Sequence, residues 1–120
     1  MARPAEKTKR WTVMVYLAGD NNLDSAGADD LLEMKTVGSS DQVTVVAQFD
    51  RSGAGRTTNR YLLRKNTPLT ADVVTALGET DTGDPAVLRD FVTWAVTRHR
   101  AQHYLLVIWN HGSGWDGSNL

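Results

Sequence analysis

The 120-residue sequence predicts a three-layer α/β/α sandwich built on a mostly parallel sheet, and three observations carry that prediction. Three apolar runs, WTVMVYL at 11–17, VTVVAQF at 43–49 and HYLLVIW at 103–109, have the β-branched and aromatic character of strands buried on both faces. Segments of helical period precede the second and third runs, and a strand, helix, strand series implies right-handed crossovers between parallel neighbours. The first and third runs empty into polar, turn-forming residues, and open α/β sheets bind ligands at the carboxyl ends of their strands.

Each element follows from local chemistry. Residues 1–10, MARPAEKTKR, are polar with four basic side chains and predict a flexible arm, so the fold is expected to begin at Trp11 and run to residue 120. The first strand stops at the turn and cap formers Ala18, Gly19, Asp20, Asn21 and Asn22, and Asn22 or Asp24 suits a helix cap. A helix is predicted over 23–37, with Ala28, Leu31, Leu32 and the Lys35 stem on one face, Asp29, Asp30 and Glu33 outward, and Gly38 as its stop. After the second strand, DRSGAGRTT at 50–58 reads as an exposed loop, and residues 59–65 as a short hairpin or edge strand. Residues 70–77 fit a short helix or an extended stretch equally well. Asp84 and Pro85 are a cap and first-turn pair, opening a helix to about Arg98 with Leu88, Phe91, Val92 and Ala95 as its buried stripe.

Composition excludes several function classes. With 41% hydrophobic and 22% charged residues the chain belongs with folding sequences, and a formal charge of −1 gives no electrostatic reason to expect nucleic acid or an anionic membrane as partner. No apolar run is long enough to span a bilayer, and the basic start lacks the apolar core of a secretory signal, so the expected location is cytoplasmic. Zero cysteines exclude disulfides, thiolate metal sites and any thiol nucleophile within these residues.

Few motifs survive inspection. Asp20 to Asp24, DNNLD, starts like an EF-hand loop, but Ser25 replaces the turn glycine and Leu31 the bidentate glutamate, so no metal site is predicted. Gly53-Ala54-Gly55 lacks the third glycine and following helix of a dinucleotide fingerprint. His99 and His103 stand four apart, one at a helix end and one opening a strand, and read as solvated rather than metal-binding. His111 differs, because an imidazole arrives at a buried strand's tip beside Gly112 and Gly114, whose bare backbones let amides approach a substrate. A turn-capping role fits the bare pattern as well, and His-Gly-Ser-Gly also looks like the oxyanion loop of serine esterases, although no G-x-S-x-G elbow is present.

The segments WTVMVYLAGDNNLD, LLEMKTVGSSDQVTVVAQFDRS, LGETDTGDPAVLRDFVTWAV and LLVIWNHGSGW together resemble the N-terminal part of clostripain-family cysteine peptidases, from residue 11 to about 116. The most specific element is Asn110 to Trp115, because in that family the catalytic histidine lies in an Asn-His-Gly-Ser-Gly-Trp segment. The resemblance implies a caspase-like sandwich with the first strand between the other two, His111 as catalytic imidazole, and the Gly112 amide in the oxyanion hole. Asp20 and Asn21, at the end of the neighbouring strand, are the candidate substrate-binding residues.

The resemblance further implies a peptide or protein substrate cut after Arg or Lys, no cofactor, and an open question of calcium dependence. It places the nucleophilic cysteine at the end of a later strand, in the C-terminal remainder of the protein or a processed partner chain. Physical pattern agrees, since HYLLVIW is too apolar for an edge strand and residues 116–120 read as an open polar loop. The chain alone is therefore expected to be inactive. The alternative is a non-catalytic α/β interaction or regulatory module of the same fold.

Overall fold

The computed structural model describes residues 8–19, 24–51 and 57–109. They form β1 (Lys9–Gly19), α1 (Asp24–Val37), β2 (Val43–Arg51), β3 (Thr58–Leu62), a 3₁₀ turn (Leu69–Asp72), β4 (Val73–Gly78), α2 (Pro85–Arg98) and β5 (Ala101–Trp109). β1 therefore starts two residues before Trp11, with Lys9 pairing Ala101.

The sheet order is β4-β3-β2-β1-β5, with β1 parallel to both β2 and β5. β1 thus lies between the other two apolar strands, as the resemblance implied. β3 is antiparallel to β2 and to β4, so β3 alone is reversed and the sheet is mixed. One expectation needs correction and one open alternative is resolved. The stretch expected to be a short hairpin or an edge strand does form hairpins, being antiparallel to both neighbours, but as the interior strand β3; the outer strand on that side is β4. Residues 70–77 are a helical turn followed by a strand, which is why a single period could not decide them.

Alternation along β1 assigns the layers. Val15 and Leu17 pack with Leu31 of α1 and with Ala47, Phe49, Tyr61 and Leu63. Met14 and Tyr16 pack with Phe91 and Ala95 of α2 and with Val46. Successive strand residues face opposite sides, so the helices cover opposite faces and the three layers follow. α2 starts as its sequence predicts: the Asp84 side chain accepts a hydrogen bond from the Ala86 amide at 2.9 Å, with Pro85 in the first turn.

α1 departs from the simple stripe. Leu32 is 50% exposed, whereas Gly27 is buried. A Cβ built on Gly27 would stand 2.9 Å from the buried Phe49 ring and 3.5 Å from Trp109, so the bare backbone is what lets the helix close on the sheet there. Gly27→Leu is expected to cost about 1–3 kcal/mol through overpacking, read as a lower unfolding midpoint in urea. Gly38 ends the helix in the left-handed region at φ 64°, donating its amide to the Met34 carbonyl at 2.9 Å.

A buried ionic cluster ties α1 to the β3–β4 connection. Lys35 Nζ donates to the Arg64 carbonyl at 2.6 Å, to Thr67 Oγ1 at 3.0 Å and to the fully buried Asp72 carboxylate. Asp72 also accepts from the Arg64 amide at 3.0 Å, Arg64 Nε at 3.1 Å and Thr67 Oγ1 at 2.7 Å. Burial pushes this carboxyl up, but the bonds from Lys35, Thr67 and the Arg64 amide outweigh it and hold it below the usual carboxylate range.

Candidate active site

Parallel pairing sends the carboxyl ends of β1, β2 and β5 to one edge of the sheet. At that edge Leu17 pairs with Trp109, Ala18 with Asp50, and Gly19 with Arg51. His111 and Gly112 follow Trp109 in the chain by two and three residues, and Asp20 and Asn21 follow Gly19 directly. All four lie outside the described residues, so the structure locates the strand ends that precede them and not their side chains.

The described part of this edge holds polar contacts that the sequence did not single out, although Asp24 was read as a candidate helix cap and stands as the first residue of α1. On the α1 side, Arg51 forms a two-pronged ion pair with Asp24 at the first position of α1, with Nε and Nη2 donating at 3.1 and 2.8 Å. The hydrogen bond to Asp24 raises the Arg51 pKa, and its guanidinium lies 5.2 Å above the Phe49 ring. A carboxylate suits a helix N-terminus, so Asp24 complements both the helix dipole and Arg51.

On the α2 side, the buried Asp50 accepts from Thr82 Oγ1 at 2.5 Å, and Tyr16 Oη donates to the Thr82 carbonyl at 3.0 Å. Thr58 and Thr80 hydroxyls share a 2.6 Å hydrogen bond. The β4–α2 connection is thereby stitched to the ends of β1, β2 and β3. Burial raises the Tyr16 pKa; its hydrogen bond to Thr82 opposes this, and the carboxylates of Asp50, Asp81 and Asp84 add to the rise, so the phenol stays protonated and serves as a donor. Gln48, 1% exposed, accepts from Arg60 Nε at 2.9 Å. The only legible signal for this cluster was polar Gln48 and Asp50 in and after an otherwise apolar run; the Thr82 contact bridges 32 positions.

His99 and His103, read from the sequence as solvated, lie apart from one another in their contacts: each meets a tryptophan, His103 exposed and His99 half-buried. His103 stacks against Trp11 at 4.9 Å between centroids, and His99 meets Trp94 edge-on at 5.6 Å. No group of three or more acidic, cysteine or histidine residues able to hold a metal occurs among them, and no described helix is long and apolar enough to cross a membrane.

β5 is the outer strand on this side, and it is unlike an ordinary edge. Tyr104, Leu105, Leu106, Val107 and Ile108 are 37–61% exposed, while their register partners Met14, Val15 and Tyr16 on β1 are buried. Alternation puts these apolar side chains on both faces of the strand.

An α/β/α sandwich of this order is the architecture of caspase-like cysteine proteases. The clostripain family model matches residues 15–120, and the chain belongs to the clostripain family. Clostripain of Hathewaya histolytica is 28% identical over 148 residues, an alignment covering 95% of this chain and 28% of that protein. The chain thus spans about 28% of the length of the curated relative it matches. A secreted C11 cysteine protease from Bacteroides thetaiotaomicron, solved with an irreversible peptide inhibitor, superposes with a TM-score of 0.75 at 29% identity, covering 89% of this chain and 31% of that one. A clostripain from the same species, solved with a peptide inhibitor, shares the fold at a TM-score of 0.75 and 15% identity, covering 92% of this chain and 97% of that one.

Proposed function

We propose that this chain is the histidine-bearing N-terminal portion of a clostripain-like cysteine endopeptidase that cleaves after Arg or Lys. The observation that carries the reading is β5, an outer strand apolar on both faces, followed within two residues by His111. Such a strand is poised to accept a further strand, and on this reading that strand comes from polypeptide outside these 120 residues and brings the cysteine they lack. The peptide inhibitor bound by the Bacteroides relative supports a peptide substrate.

In this mechanism His111 keeps the cysteine as thiolate, and the sulfur attacks the scissile carbonyl. The Gly112 amide donates to the developing oxyanion. As the C–N bond breaks, the imidazolium gives its proton to the departing amine, leaving a thioester and neutral imidazole. Water then attacks the thioester, His111 takes its proton, and the acid product departs with the thiolate restored. Asp20 and Asn21, which follow β1 in the chain, contribute to substrate binding. No step uses a metal or cofactor.

Complementation tests this. Residues 1–120 alone are expected neither to cleave an Arg-containing peptide nor to react with a thiol-directed inactivator, and adding the downstream polypeptide, in cis or as a separate chain, restores both. Cleavage by the isolated chain that survives iodoacetamide would overturn the proposal and make Ser113 the residue to test.

A further inference from the structure

The opposite edge of the sheet carries a concave surface with its own chemistry. Beneath the carboxyl end of α2 lies an open-mouthed cavity of about 420 Å³, lined by Lys9, Thr44, Thr97, Arg98, His99 and Arg100 among others. That volume falls in the range of small-molecule sites. No carboxylate lines it among the described residues; Asp41 lines a neighbouring depression with Lys9, Arg10 and Gln42.

Two features separate this cluster from ordinary surface charge. First, its cations come from three places: the start of β1, the last turn of α2, and the turn that follows. The dipole of α2 accounts for Arg98, since cations favour a helix carboxyl end, but it does not require Lys9 and Arg100 to converge on the same hollow. Second, the turn is held in place. Thr12 Oγ1 donates to the His99 carbonyl at 2.5 Å, and the His99 ring is braced edge-on by Trp94. His99 is half-buried, and its pKa is lowered by burial first and then by Arg98 and Lys9. Like charges gathered in a hollow repel one another, and a bound anion reverses that repulsion.

We propose that this cavity is a binding site for a phosphate group, free or as a small monoester, remote from the candidate active site. Its lining brings together two arginines, a lysine and threonines, the residue types whose N–H and O–H donors suit the oxygens of a tetrahedral dianion. The net charge of −1 concealed this site, because a total is silent about how charge is segregated. The inference does not depend on the peptidase reading.

The test is a titration of the complete protein with inorganic phosphate and, separately, glycerol phosphate, following the His99 ring signals by NMR against chloride at equal ionic strength. Saturable shifts with either phosphate probe, absent with chloride, are the expected result. A stronger response to glycerol phosphate identifies a monoester as ligand; an equal one identifies the free ion. The pair Arg98→Gln and Arg100→Gln, both exposed and thus compatible with folding, is expected to weaken binding by roughly tenfold or more, the loss of charge-assisted hydrogen bonds. Shifts that chloride reproduces, no saturation by either probe, or unchanged affinity in the double variant overturn the proposal. So does saturable binding of a glutamate-rich peptide in the absence of phosphate binding.

Discussion

Replacing His111 by alanine in the complete protein is expected to lower kcat for an Arg-containing peptide by roughly 10⁴ to 10⁶, the scale seen when one member of a nucleophile–base pair is removed from comparable enzymes. The size follows from the two jobs assigned to one ring. Without the imidazole the thiol is mostly protonated near neutral pH, and the amine must depart without a proton donor. KM is expected to change little, because the loss falls on groups that act in the transition state. Steady-state kinetics with the folded variant, checked by an unchanged unfolding midpoint, measures the effect. A decrease of less than tenfold would remove His111 from the mechanism.

The second large effect is on stability. Lys35→Met leaves the buried Asp72 without its ammonium partner, and breaking a buried pair from one side typically costs about 3–5 kcal/mol. Urea denaturation of the complete protein should reveal it, and the double variant Lys35→Met with Asp72→Leu should recover part of the loss, since it removes the buried carboxylate left with only the half-exposed Arg64 as its charged partner. The same cluster sets a pH dependence. Asp72 has a depressed folded-state pKa, so its stabilisation is fully present above the unfolded value of about 4 and is lost as pH falls through the folded one. Asp72→Asn is expected to be less stable than wild type at neutral pH and to lose less on acidification. Equal acid sensitivity of the two proteins would contradict the assignment.

The strands that carry the fold were legible because a continuous apolar, β-branched run leaves an unmistakable composition, whether its side chains are mostly covered, as in β2, or exposed, as in β5. β1, β2 and β5 each present a run of apolar residues, and Asp84-Pro85 marks the start of α2 by backbone chemistry alone. β4 was illegible for the complementary reason: it is short, it leaves Val74 half exposed, and its pairing with β3 is interrupted by register shifts. Leu32 misled because helical period ranks faces by hydrophobicity, whereas α1 approaches the sheet through Gly27, a residue with no side chain to register in such a pattern. The Lys35–Asp72 pair spans 37 positions: the Lys35 stem was legible as part of the helix's inner face, but nothing local names Asp72 as the partner of its ammonium. At the candidate site the histidine motif and the strand ends were readable from local order. The Arg51–Asp24 and Asp50–Thr82 contacts were not, since both arise only when distant segments meet at the edge of the sheet.

In the proposed mechanism His111 serves a cysteine supplied from outside these residues. The most direct test of that mechanism treats the complete protein with a thiol-directed peptide inactivator ending in Arg and maps the adduct by mass spectrometry. One modified cysteine beyond residue 120 is expected, formed at a rate that collapses in His111→Ala. Peptidase activity that persists with no cysteine modified, or labelling that proceeds equally fast without His111, would contradict it.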